Sequence, residues 1–441
     1  MFLPGVNRSA AGKAREEATF SPLPRCLGAA DGLLIRNVHS HLIRYIQALR
    51  PAFRPLGAGI APTALLLLLT SCGSEPPQAA ETGISYHHDT VAKVPWSIHV
   101  VKVERGRADL ELRTMLGRGT RIGLSTLVQQ IDALPPEAGL PLAAVNGDFY
   151  VVDERNPYVG DPRGLQILDG ELVSAPTDEA SFWLDPAGVP QATNVLSQFE
   201  VTWPDGATTP IGLNEDRTDG VAVLYTARLG EATRTRGGRE LILERAGSGP
   251  WLPLRAGLTY TARIRETRDG GNSPLSPDVM VLSLSPKLLT NTPAAAQAEA
   301  GAVLKVSMAT LPDLTGVKWA ISGGYVLVRD GKTETLRVPQ SQDYRHASVT
   351  QRHPRSAIGA GRDHFFLLEV DGRQPGYSAG MTLAELGDYM QKLGCELALS
   401  LDGGASATFW WKGKVINRPC NGSERPIANG VVILKRPAAK P

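Results

Sequence analysis

The sequence predicts a strand-and-turn fold with few helices. Glycine and proline are abundant, at 46 and 33 residues, which favours turns over long helices. Several runs alternate apolar and polar residues with a period of two. Only two segments carry helical spacing behind a capping residue. At 441 residues the chain is long enough for one large domain or two ordinary ones. Its 44 acids nearly balance 46 bases, for a formal charge of +2. That balance gives no sign of nucleic-acid binding, which usually shows as a basic domain or stripe.

The first 82 residues read as targeting sequence. Leu56 to Ser71 is apolar, follows Arg50 and Arg54, and ends in Leu69-Thr70-Ser71-Cys72. A basic flank before a short apolar run is the order of a secretion signal. The run of about 15 residues is too short to span a bilayer, which takes about 20. Its end resembles a bacterial lipobox, which implies lipidation of Cys72 and an exported, membrane-anchored protein of the cell envelope. Residues 1–71 are therefore expected to be an N-terminal extension and lipoprotein signal peptide, with the true start near Val38. Residues 72–82 are expected to be a polar tether, and 83–437 a globular domain. In an oxidising compartment Cys395 and Cys420, 25 positions apart, could pair as a disulfide or stay as two thiols.

Trp96–Glu104 and Asp109–Met115 read as strands. Ser125 is expected to cap a helix through Leu127, Val128, Ile131 and Leu134, stopped by Pro135 and Pro136. Leu142–Val145 is a short apolar strand. Residues 178–310 form a β-rich middle section of the same domain, with exposed loops expected at Gly230–Gly249 and Asp269–Pro277. Near the C-terminus, Thr382 and Glu385 make a capping box for a helix whose face is Leu383, Leu386, Met390 and Leu393, ended by Gly394. Leu397–Leu401 is apolar on both faces, which predicts a covered sheet.

A two-part pattern recurs. Val145-Asn-Gly-Asp, Ile321-Ser-Gly-Gly and Leu401-Asp-Gly-Gly each run an apolar strand end into a polar residue and glycine. Each accompanies a hairpin turning on glycine: Ile167–Val173, Val328–Lys332 and Trp411–Ile416. If equivalent, these units place polar residues on glycine turns where a ligand can approach the backbone.

Further motifs follow in order: Arg352-His-Pro-Arg-Ser-Ala-Ile-Gly359, Asp371-Gly-Arg-Gln374, Leu401-Asp-Gly-Gly-Ala-Ser406 and Arg425-Pro-Ile-Ala-Asn429. With Asn146–Tyr150 and Gly164–Val173, they resemble the phosphodiester glycosidase family over about Gly83 to Leu434. Two positions depart from the family pattern: Ala405 stands where a third glycine is usual, and Asp148 where glycine is frequent. The resemblance implies an α+β domain of β-rich mixed sheets with a few flanking helices. It also implies cleavage of a sugar C1–phosphate bond in a glycan or glycolipid phosphodiester.

That chemistry needs a carboxylate against an oxocarbenium-like centre and cations to hold a phosphate. A phosphomonoester, with a second pKa of about 6, leaves with little proton help. Asp402 is the first candidate for the carboxylate and Asp371 the second. Arg355, Arg373 and Arg425 are candidates for phosphate contact. Asn146, Asp148, Gly403, Gly404, Ser406 and Asn429 complete the expected substrate contacts. Glu385 is set aside, because capping accounts for it. No cofactor or metal is assigned. Asp148, Asp371 and Asp402 would offer oxygen ligands to a divalent cation if they converged, and His87-His88 lacks a third ligand nearby in sequence. The alternative is a non-catalytic glycan-binding or exopolysaccharide-assembly protein on the same fold, since function resides in the site. The discriminator is geometric: Asp371, Asp402, Arg355 and Asn146 in one pocket would favour catalysis, and scatter beyond about 10 Å the binding reading.

Overall fold

The computed structural model describes residues 83–340 and 344–437. Cys72, the signal peptide, the tether and the start at Val38 lie outside the described residues. The fold is strand-rich α+β, as expected: three open sheets and a closed barrel, with short helices.

A seven-stranded antiparallel sheet orders its strands as Ile84–Val91, Trp96–Glu104, His364–Val370, Arg355–Ala360, Leu397–Ser400, Val326–Arg329 and Lys332–Thr333. Side chains alternate across each strand, and here both sides are buried. Val101, Val103, Ile358, Leu367 and Leu399 enter one core, while Ile98, Val100, Ala357, Leu368 and Ala398 enter another. The first core is shared with strands Leu140–Asn146, Phe409–Trp411 and Asn429–Lys435 of a five-stranded sheet. The second is closed by helix Leu383–Lys392 through Met381, Leu383, Leu386 and Met390. Helix Leu127–Asp132 covers the far side of the five-stranded sheet through Leu127 and Ile131. The order of layers is thus helix, sheet, sheet, helix, and it explains why Leu397–Ser400 is apolar on both faces.

A second five-stranded sheet contains Gln166–Leu168, Glu171–Ser174, Ala180–Leu184, Pro190–Asn194 and Ala320–Ser322. The middle section closes into a seven-stranded barrel spanning Leu196–Leu311. Its interior is filled by Phe199, Val201, Leu224, Leu241, Tyr260, Leu282, Val306 and Met308, all at most 2% exposed.

Three sequence expectations are corrected. The first helix is capped by Thr126, not Ser125: the Thr126 hydroxyl accepts from Gln129 N, and the Gln129 side chain answers to Thr126 N. The expected loop Gly230–Gly249 contains barrel strand Arg239–Arg245, with Glu240 to Leu243 buried. Its flanking charges hid the inward Leu241 and Leu243. Finally, Cys395 and Cys420 are free thiols. Cys395 lies in the core beneath helix Leu383–Lys392. Cys420 lies close enough to Glu369 to bear on its ionisation, and Glu369 alternates with Leu368 onto the other face of the sheet. The sheet lies between Cys395 and Glu369. The Thr382–Glu385 capping box is present as expected, and Glu385 also pairs with Arg352 at 3.0 Å.

Leu399 sits fully buried between the two large sheets. Leu399→Ala is expected to cost about 2–5 kcal/mol, read as a lower urea midpoint with an unchanged m-value. A loss under about 1 kcal/mol would show that the two layers do not depend on this contact.

Candidate active site

The three echoing turns converge, although each leaves a different sheet. Asn146-Gly147, Ser322-Gly323-Gly324 and Asp402-Gly403-Gly404 end strands Leu140–Asn146, Ala320–Ser322 and Leu397–Ser400. Main-chain bonds join them: Asp402 N donates to Gly147 O at 2.9 Å, and Gly324 N to Ser400 O at 2.8 Å. Glycine is required where backbones meet this closely. A Cβ on Gly403 would stand 2.5 Å from Pro354 O, and one on Gly164 would stand 2.4 Å from the Ser322 side chain.

Two buried amides fix the carboxylates. The Asn146 amide donates to Asp402 O at 2.6 Å, while its oxygen accepts from Ser356 Oγ at 2.6 Å and Thr408 N at 3.2 Å. The Asn429 oxygen accepts from Asp148 N at 2.7 Å, and its amide donates to Gln166 Oε1 at 2.8 Å. Both asparagines have no exposed surface. They position the carboxylates rather than reach outward toward a sugar.

The carboxyl of Asp402 is desolvated, which lifts its pKa from the ordinary range to about 6; Ser406, Gly403 N, Arg425 and Arg163 hold it from rising further. The Gly403 amide donates to Asp402 Oδ1 at 2.8 Å. Ser406 Oγ is close by and buried, yet meets no hydrogen-bond partner by geometry. Asp148 is raised well above the ordinary range, first by burial and further by the Asp402 charge. Its oxygens accept from Phe149 N at 2.7 Å and Gly164 N at 2.9 Å. Burial thus raises both neighbouring carboxyls, and the Asp402 charge raises Asp148 further.

Asp148 opens on a cleft of about 470 Å³, with Phe149, Arg163, Glu179, Gly324 and Tyr325 in its wall. That volume suits a small ligand. Arg425 lies over the Tyr150 ring, 5.3 Å from its centroid. Arg373 lies over Gly404, its guanidinium 3.1 Å from where a side chain would begin, and donates to His353 Nδ1 at 3.3 Å. Burial, with Arg355 and Arg373 nearby, lowers the His353 pKa to about 4, so this imidazole is neutral at physiological pH.

Two candidates do other work. Arg355 is buried, and its guanidinium donates to the carbonyls of Met381, Ser348 and Gln351 at 2.7–2.9 Å. It braces the chain around helix Tyr344–Thr350 instead of facing the cleft. Asp371 is 1% exposed. It accepts from Ser97 Oγ at 3.0 Å, Tyr377 OH at 2.9 Å and Arg418 N at 2.7 Å, with His99 Nε2 at 3.3 Å. The carboxyl whose ionisation Asp402 bears on is Asp148. Sequence reading missed Arg163, which immediately precedes the Gly164–Val173 motif. The signal was weak: a lone cation beside a glycine, with no periodicity to mark it.

Residues 262–434 match the model of the phosphodiester glycosidase family. The resemblance read from the ordered motifs is met there. The matched span includes Asp371, Asp402, Arg425 and Asn429, and begins after Asp148. Among curated proteins, the SPbeta prophage-derived protein YomE of Bacillus subtilis is 33% identical over 119 residues, 27% of this chain and 18% of that protein. The bovine N-acetylglucosamine-1-phosphodiester alpha-N-acetylglucosaminidase is 30% identical over 107 residues, 24% of this chain and 20% of that protein. The matches thus span about a fifth of these relatives' lengths. Among solved structures, a hypothetical protein from Synechocystis superposes with a TM-score of 0.63 at 17% identity, over 80% of this chain and 62% of that one. A Burkholderia pseudomallei K96243 protein described as exported gives 0.60 at 21%, over 77% and 74%. These two share the fold.

Folding raises the Asp402 pKa from about 3.9 in an unfolded chain to about 6. Between those values the folded state holds a proton that the unfolded state has released. Stability contributed by this group is therefore full below about pH 4 and falls as pH rises through about 6. Asp402→Asn removes that penalty. Its Tm is expected to exceed that of the unmodified protein at pH 7.5, with the gap closing toward pH 4. Equal melting temperatures at both pH values would refute the burial of this charge.

Proposed function

We propose that the protein is an exported hydrolase that cleaves a sugar C1–phosphate bond in a glycan or glycolipid phosphodiester. The observation that carries this reading is the Asp402–Asp148 pair, both raised by burial, with Arg163 and Arg425 beside Asp402. A family match at 262–434 agrees with it. Above pH 6 Asp402 is ionised and acts on the anomeric carbon, as nucleophile or by drawing a proton from water. Asp148, whose pKa burial raises, can donate a proton to the departing oxygen. A phosphomonoester leaves readily with its second pKa near 6, so holding its charge matters more than protonating it. Arg163 and Arg425 supply that charge, and Arg373 stands over the same turn. Arginine suits the task because its planar fork meets two oxygens at once.

Export rests on the apolar run and lipobox before Cys72, and accords with the fold shared with an exported protein of Burkholderia pseudomallei. Among the described residues no helix is long and apolar enough to cross a membrane. Anchoring is assigned to a lipid on Cys72.

Asp402→Asn is expected to lower kcat on a sugar-1-phosphodiester at least about 1,000-fold while ligand affinity stays within a few-fold. Turnover like that of the unmodified protein would refute the assignment, and substrate binding with no turnover in either protein would favour the glycan-binding alternative. In oxygen-18 water the label should enter the sugar; label in the phosphate would place attack at phosphorus.

The acid limb of kcat/KM should rise with pH through about 6, because Asp402 must be ionised. Arg425 favours the carboxylate, so Arg425→Ala should move that limb to higher pH as well as weaken binding. An unmoved limb would separate Arg425 from Asp402.

A further inference from the structure

On the interlayer face of the seven-stranded sheet, the apolar side chains give way at one end to His99 and Glu369. These are cross-strand partners on Trp96–Glu104 and His364–Val370. Asp371 follows two residues on. The three are 2%, 0% and 1% exposed, and one ligand atom from each lies within 4.8 Å of the others. Neither oxygen of Glu369 has a hydrogen-bond partner among the described residues. The Asn417 side chain, bonded to Ala407 O at 3.2 Å and Phe409 N at 2.8 Å, also stands close enough to favour the Glu369 carboxylate. A buried carboxyl with nothing to bind is costly unless it is neutralised, paired or coordinated.

The surrounding geometry favours coordination. His99 Nε2 stands 3.3 Å from Asp371 Oδ2. That is at the long end for an N–H to oxygen hydrogen bond. It is the spacing of two ligands on one tetrahedral ion, since metal–ligand bonds of about 2.0–2.1 Å place neighbouring ligands about 3.3–3.4 Å apart. The other ring nitrogen, Nδ1, is held by Tyr86 OH at 2.8 Å. Asp371 is fixed by Ser97, Tyr377 and Arg418 N. Of these, Arg418 N holds Oδ1, whereas Ser97 and Tyr377 hold Oδ2, the oxygen that faces His99; bonds from Tyr86 to His99 and from Arg418 to Asp371 act as an outer layer does around a metal.

We propose that His99, Glu369 and Asp371 bind one divalent transition-metal ion, for which zinc is the best fit. One imidazole nitrogen and two carboxylates balance a double positive charge and match zinc's preferred donors. Calcium would require six or more oxygens, which this pocket does not offer. The ion ties the two strands together and fixes the Asp371-Gly372 turn that delivers Arg373 to Gly404. Its role is to position the turn, and it takes no part in the reaction proposed above.

The test uses the untagged full-length protein, stripped with EDTA, desalted and titrated with zinc chloride by calorimetry, with metal content measured by mass spectrometry. The expected result is one zinc per chain at sub-micromolar Kd and a Tm raised by several degrees. Glu369→Gln replaces the carboxyl with a neutral amide of the same shape. It should fold without metal, lose zinc affinity at least 100-fold and show no zinc-dependent rise in Tm; His99→Gln should do the same. Should either variant misfold, the cobalt-loaded unmodified protein decides: an intense visible band is expected from a four-coordinate buried site, and the weak band of six-coordinate surface cobalt overturns the proposal. Failure of the unmodified protein to bind zinc also overturns it. So does equal binding by Glu369→Gln, which would place the metal elsewhere, such as on exposed His87.

Discussion

The amide of Asn146 is the joint on which the site depends. It ends a strand of one sheet, yet it holds the main chain of Asp402, which ends a strand of another. Its oxygen simultaneously takes Ser356 Oγ and Thr408 N. Asn146, Ser356 and Thr408 are buried and cannot fall back on water, so losing one leaves another unsatisfied. Asn429 repeats the device for Asp148. Two side chains thus convert the packing of separate sheets into the placement of two carboxyls.

That placement sets the electrostatics. Burial raises both carboxyls, and their proximity adds to the shift of Asp148. Arg163 and Arg425 keep Asp402 ionisable near neutrality. Asp148 faces the cleft wall that Arg163 also lines. The same desolvation that raises both carboxyls weighs against the folded state, a common trade between stability and activity.

Much of the architecture was legible in the sequence, because it rests on local rules. Strand Trp96–Glu104 has the bounds its β-branched residues and imperfect alternation suggested, with Ser97 to Val101 all buried. The hairpins at Asp169-Gly170, Asp330-Gly331 and Lys412-Gly413 sit where their turn residues put them. Helix Leu383–Lys392 carries the box written by Thr382 and Glu385. Strand Arg239–Arg245 escaped because its ends are charged and it lies among glycines, so no clean period marked its buried centre.

The sequence by itself determined the residues at strand ends: an ordered series of glycine turns bearing Asn146, Asp148, Asp402 and Arg425, within a strand-rich domain resembling phosphodiester glycosidases. Only the tertiary structure decided which of them work together. Asp371 and Asp402 look alike in sequence, each an acid after an apolar strand and before glycine. One faces Ser97, Tyr377 and His99; the other faces Arg163 and Arg425 beside Asp148. Arg355 and Arg425 are equally alike, yet the first is consumed by three carbonyls. Cys395 is buried in a core and Cys420 is half-exposed, both as free thiols. A carboxyl's proton affinity, a guanidinium's freedom and a thiol's partner depend on what distant strands bring within a few ångströms, and local sequence does not encode that.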